Sequence, residues 1–285
     1  MNKLIQKITL GNYKFFIRSD TRDCDVVNSC SVEDEYLAEI LQPKNATVLD
    51  LGTHIGGYTV KALHKGASKV FSIEICKENA NLSSENVRLN GYSCKNEDEV
   101  GETSVVIINK AIHDTDAGIF VSTNTSTTKG QESDFEFQHR HIYSCYDTSD
   151  TKTEDKTEFF PSISLDTIFS KFHINRMNIV KIDCEGAEWR ALAGASEEIL
   201  DKIDIIIGEF NPVPDFYIDN RLIKSQNGNH LLSLLGHKFK DITDDVKPLM
   251  NDKQKTWYKN LNEGTGLYLY ILLNKKYNSF TDVKN

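Results

Sequence analysis

Acidic residues placed where short apolar runs end are the part of this chain that could do chemistry. Asp50 leads a glycine-rich turn with Gly52, Gly56 and Gly57, and Glu74 stands near the end of the next run, KVFSIEI. Asp183, Glu185 and Glu188 fall within six residues in IDCEGAEW, and Glu209 follows a further apolar run. Glycine accepts backbone angles that other residues avoid and lets a ligand approach the main chain. A helix starting beyond the turn would offer unpaired amides and its positive dipole end to a bound group. The spacing D-x-G-x-x-x-G, from Asp50 through Gly52 to Gly56, departs from the G-x-G-x-x-G of dinucleotide sites. A carboxylate beside the loop suits a cationic cofactor better than a pyrophosphate, and a carboxylate at Glu74 can bind both hydroxyls of a ribose. Adenosine joined to a positive sulfonium is S-adenosylmethionine, which these spacings predict.

Crowded carboxylates raise one another's pKa unless a cation or donor compensates. Such a cluster makes sense facing a sulfonium, a metal, or a hydroxyl whose proton must leave. Asp183 and Glu185 are therefore read as functional. Glu188 is read instead as a helix-start acid stabilised by the dipole, with Lys181 available to pair with one of the acids. Asp183, Glu209 and Asn211 form a weak hard-oxygen set of the kind that binds magnesium or calcium. His54, inside the glycine loop, and His113, after the third strand, are candidate bases because imidazole titrates near neutral pH. His139 and His141 make a weak H-x-H metal signal.

These residues need a scaffold of parallel strands whose carboxyl ends share one rim, since ligands collect there in open α/β sheets. Strands are predicted at 48–51, 69–75, 104–108, 179–183 and 203–209. Helices are predicted at 55–64, 77–90, 165–172, 188–200 and 229–235, an alternation that implies a sheet covered on both faces. Ahead of it, 4–10 and 13–18 read as a hairpin around Gly11-Asn12. Ser31 with Asp34 then opens a helical run ended by Pro43. Segments 237–242 and 267–273 read as antiparallel edge strands, and 248–262 reads as a loop carrying Trp257 and Tyr258. The polar stretch 122–158 is expected to be a long excursion, either covering the substrate or free of fixed structure.

With 285 residues and a net charge of −9, the chain can hold one large domain and has no basic stripe for nucleic acid. Its six cysteines form no C-x-x-C or zinc spacing and read as reduced thiols. Neither a signal-like apolar core nor a membrane-length run is present, so a soluble cytoplasmic protein is expected.

The pieces VLDLGTHIGGYT, FSIEICKEN, INKAI, SISLDTIF and IVKIDCEGAEWRALAGA resemble, in order, the FkbM-type methyltransferases, which use S-adenosylmethionine. The resemblance covers roughly 47–210. It implies a class I methyltransferase fold, Rossmann-like, with a seven-stranded mostly parallel sheet, the last strand inserted antiparallel, and helices on both faces. Residues 1–46 would be a hairpin and helix flank, and 47–285 the methyltransferase domain. Asp50, Gly52 and Gly56 would surround the methionine part, Glu74 would hold the ribose, and Asn109 to Ile112, Ala111 among them, would lie near the adenine. Asp183 and Glu185 would stand by the methyl group, with His54 as a further contact or base. Thr53-His54 and Ile75 depart from the Ala-Asn and Pro common in the family. The implied reaction is methyl transfer to a hydroxyl of a sugar or another small-molecule or glycan acceptor. A nicotinamide-dependent oxidoreductase and a non-catalytic cofactor-binding module are the alternatives; the loop spacing argues against the first, the intact acids against the second.

Overall fold

The computed structural model describes residues 4–19, 21–99, 102–122, 157–264 and 268–284. An antiparallel hairpin, β1 (Ile5–Leu10) with β2 (Tyr13–Arg18), turns at Gly11 as the sequence predicts. The next helix, α1 (Asp23–Ser31), ends at Ser31 where a helix start was expected. Only one further turn, α2 (Ala38–Leu41), follows. The break has a backbone cause: Asp34 and Leu37 both adopt positive φ, at 55° and 53°. The Asp34 carboxylate then accepts from the amides of Ala38 at 2.9 Å and Glu39 at 3.0 Å, so Asp34 does the capping.

Apolar runs then build the sheet. In order come β3 (Thr47–Leu51), α3 (Gly57–His64), β4 (Lys69–Ile73), α4 (Lys77–Leu89), β5 (Cys94–Asn96) and β6 (Val105–Ile108). Short pairs follow, β7 (Ala111–Ile112) with β10 (Ser162–Ile163) and β8 (Ile119–Ser122) with β9 (Thr157–Phe160). Then come β11 (Met177–Ile182), β12 (Ile203–Phe210), the small hairpin β13 (Phe216–Ile218) and β14 (Arg221–Ile223), β15 (Phe239–Asp241) and β16 (Tyr268–Asn274). The excursion expected at 122–158 falls almost wholly outside the described residues, and so do Cys145, His139 and His141.

The main sheet has the order β15-β16-β12-β11-β3-β4-β6-β5. Within it β16 runs antiparallel to both neighbours, β12 and β15, and the remaining pairs are parallel. This is the predicted arrangement with one change: the sheet has eight strands where seven were implied, because Cys94–Asn96 adds an edge strand beside β6. Helices cover both faces, so β3, β11 and β12 bury almost every residue. Strand order reverses between β3 and β11, which places the ligand crevice at their carboxyl ends.

Two helix expectations are revised. The helix predicted at 188–200 splits into Glu188–Gly194 and Glu197–Lys202, because Ser196 accepts from the amide of Ile199 and starts a new helix. The loop predicted at 248–262 is mostly the helix Asp252–Gly264, whose Trp257 and Tyr258 pack on the same core face as α1 and α3. Among the described residues no helix is long and apolar enough to cross a membrane, and the described cysteines, Cys24, Cys30, Cys76, Cys94 and Cys184, are free thiols.

Candidate active site

The glycine loop is held by its neighbours as much as by its own sequence. Gly52 has φ +75°, and a Cβ there would lie 1.8 Å from the carbonyl oxygen of Asp183, so only glycine lets the ends of β3 and β11 meet. Asp183 in turn donates its amide to the Leu51 carbonyl at 3.1 Å. Asp50 lies beneath the loop, fully buried. Its Oδ2 accepts from the hydroxyls of Thr53 and Thr59 at 2.8 and 2.7 Å, and its Oδ1 is 3.2 Å from the Lys181 ammonium. Lys181 also donates to the Gly52 carbonyl at 2.8 Å. Asp50 thus braces the loop from below and is absent from the cavity wall.

A cavity of about 580 Å³ opens over these strand tips. Gly52, His54, Glu74, Asn79 and Ala111 are among the residues that line it. Glu74 receives the amide of His54 on Oε2 at 2.8 Å and that of Cys76 on Oε1 at 2.9 Å. Burial nevertheless raises its carboxyl to about 7, against the pull of those donors. Asn109 is absent from the wall: its amide donates to the Glu74 and Ile75 carbonyls at 2.7 and 3.0 Å and so fixes the strand end. Gly56 is also off the wall, packed against Ser83.

The same cavity gathers Asp183, Glu185 and Glu209 from the strand tips. It also draws on two segments that sequence reasoning did not assign to the site, Glu35 and Tyr36 ahead of α2, and Gln254 and Trp257 on the C-terminal helix. The only sequence signals for them were an aromatic pair in a presumed loop and a helical flank ahead of the sheet. The Tyr36 hydroxyl donates to Asp183 Oδ2 at 2.9 Å, and Trp257 meets the Tyr36 ring edge-on at 6.0 Å. Gln254 Nε2 donates to the carbonyls of Asp34 at 2.9 Å and Glu33 at 3.3 Å, tying the two segments together.

Burial pushes Glu35 up to about 7, and burial with the nearby Asp183 charge lifts Glu185 to about 7 and Glu209 to about 9. Burial would lower Lys181, but the Asp50 and Asp183 carboxylates outweigh it and hold the ammonium above its usual range. Glu188 is fully buried and takes the amides of Gly186 and Asn211 at 2.9 and 2.6 Å, the structural role its position suggested. Burial raises it to about 8.

Of the weak metal set, Asp183 and Glu209 line the cavity and Asn211 does not; the Asn211 backbone carbonyl accepts from the Trp189 indole at 2.6 Å. Among the described residues no group of three or more His, Cys, Asp or Glu side chains is arranged to hold a metal. His113 is buried off the cavity, 2.5 Å from Asp114. His54 lines the cavity beside Asp23, at 3.4 Å.

These raised carboxylates make stability depend on pH. Each binds its proton more tightly folded than unfolded, so its contribution is complete below the unfolded pKa and is lost as pH rises through the folded value. For Glu35, Glu74, Glu185, Glu188 and Glu209 that window runs from about 4.3 to about 9. The ligand-free protein should therefore lose roughly 3 °C or more of Tm between pH 6 and pH 9. Calorimetry showing a flat or rising Tm over that range would contradict the burial of these acids.

One family's sequence model spans the glycine turn, Glu74 and the acids on the rim. That model, the methyltransferase FkbM domain, matches residues 50–241. The chain belongs to the FkbM family of S-adenosylmethionine-dependent methyltransferases.

Solved structures of similar shape include an S-adenosylmethionine-dependent methyltransferase from Streptococcus mutans, at 12% identity and TM-score 0.41, with 94% of this chain and 55% of that one covered. Another is the FkbM methyltransferase from Methylobacillus flagellatus, at 12% identity and TM-score 0.42, covering 83% of this chain and 45% of that one. The chain therefore spans about half the length of these relatives. No curated protein matches it.

Proposed function

We propose that this FkbM-family chain transfers a methyl group from S-adenosylmethionine to a hydroxyl of a sugar or another small-molecule or glycan acceptor. The observation that carries the reading is one cavity lined by both Glu74 and the Asp183 cluster. Its volume lies in the range of small-molecule sites. The donor set suits the cofactor: a carboxylate already oriented by two amides for the ribose, and acids facing the place of the sulfonium. When bound, S-adenosylmethionine supplies an electrophilic methyl carbon on a positively charged sulfur.

The protein's part is alignment and proton handling. Glu35, Gln254 and Trp257 wall the space next to Asp183, where an acceptor oxygen would be lined up with the bond that breaks. Such alignment contributes much of the rate in bimolecular transfers. Asp183, oriented by the Tyr36 hydroxyl, takes the proton the acceptor releases, with Glu185 beside it and His54 farther along the wall. Glu209, lifted to about 9, stays protonated at neutral pH and can donate to an acceptor oxygen. Acidic residues outnumber the basic Arg22, Lys110 and Lys253 in the cavity wall, and Lys110 and Lys253 are already paired with Glu97 and Glu33, so anionic acceptors are disfavoured there.

Incubation with S-adenosylmethionine and a panel of neutral, amino and phosphorylated sugars tests the reading. The expected result is S-adenosylhomocysteine together with a methyl ether on a neutral or amino sugar. A methylated nitrogen or carbon would overturn the hydroxyl assignment, and preference for phosphorylated sugars would overturn the charge argument.

A further inference from the structure

The side chain of Asn79 has a role that the reaction above leaves unassigned. Asn79 is the third residue of α4, five positions after Glu74 in the chain, and it is fully buried. It lines the cavity, yet neither its Nδ2 nor its Oδ1 has a hydrogen-bond partner. Its amide lies close enough to help hold the Glu74 carboxylate down without reaching hydrogen-bond geometry. Buried side-chain amides are almost always paired, so an orphan on a cavity wall points to a partner supplied by the ligand.

Glu74 makes the missing partner specific. Each of its oxygens already accepts one backbone amide, from His54 or Cys76, and each keeps room for one more donor. A ribose diol supplies those two O–H donors, but its own oxygens then need a donor that a carboxylate cannot provide. We infer that Asn79 is a second ribose-binding residue, donating its Nδ2 to one hydroxyl oxygen of the diol that Glu74 accepts from. The pair would read the diol by both of its hydrogen-bonding functions, which a single acid cannot do. This rests on the cofactor placement proposed above.

The test is a calorimetric comparison of S-adenosylhomocysteine with its 2′-deoxy and 3′-deoxy analogues, on the wild type and on Asn79→Leu. Leucine keeps the side-chain shape and removes the polar atoms, so the ligand-free variant should keep or raise its Tm. The expected result is about a tenfold weaker binding of S-adenosylhomocysteine by the variant. The variant should also lose most of the wild type's preference for the intact diol over one of the two deoxy analogues. Unchanged affinity, or an equal loss for all three ligands, would overturn the inference while leaving the cofactor site intact. A wild type that binds none of them would overturn the cofactor placement and this inference with it. Should Asn79→Leu fail to fold, Asn79→Ala carries the same three-ligand comparison.

Discussion

Replacing Glu74 by alanine should weaken S-adenosylhomocysteine binding about 100-fold in calorimetry. Two hydrogen bonds from a ribose to an ionised carboxylate are together worth roughly 3 kcal/mol or more, and 1.4 kcal/mol is about a factor of ten. The carboxylate is pre-aimed by the His54 and Cys76 amides, so little ordering is needed when the ribose arrives. Its raised pKa adds a pH signature to the same experiment. A diol favours the ionised form, so wild-type affinity should fall as pH drops through about 7, and Glu74→Ala should lose that dependence. Binding that survives the substitution at every pH would remove Glu74 from the cofactor site.

Asp183→Asn should leave cofactor affinity within a few-fold of the wild type and reduce kcat by about 100- to 10,000-fold, the range for losing a positioned base. The amide is nearly the same shape, and its oxygen can still accept the Tyr36 hydroxyl that now reaches Asp183 at 2.9 Å. Lys181 keeps Asp50 as a partner at 3.2 Å, so the glycine loop stays braced. The effect should therefore appear in kcat with KM little changed, the pattern of an interaction needed only in the transition state. Near-normal turnover would eliminate Asp183 as the base and move the assignment to Glu185, which burial and the Asp183 charge hold at about 7.

The two acids illustrate why part of the cavity wall could be read in advance. Glu74 and Asp183 follow apolar runs whose length and flanking glycines mark them as strand ends, and strand ends in a parallel sheet converge on one rim. Asp50 has the same local signature and a different fate. In β3 it faces Thr59, Thr53 and Lys181, so it stabilises the turn from within. Nothing in residues 48–59 distinguishes an acid that lines the cavity from one that meets a lysine 131 positions later in the chain. The helix Asp252–Gly264 was missed for a related reason: its apolar positions are sparse, and its stability comes from packing Trp257 and Tyr258 on a distant core.

By itself the sequence determined the alternation of strands and helices, the glycine turn, the antiparallel strand near the end and the acids at the strand tips. These are local patterns of polarity and spacing, legible without knowing what packs against them. Tertiary structure decided which carboxylates turn inward, as Asp50 and Glu188 do, and which line the cavity. It also brought Gln254 against the backbone of Asp34, 220 residues away, to complete the cavity wall. Burial, pKa and hydrogen-bond partner are properties of what the fold places alongside a residue, and that neighbour is seldom nearby in the chain.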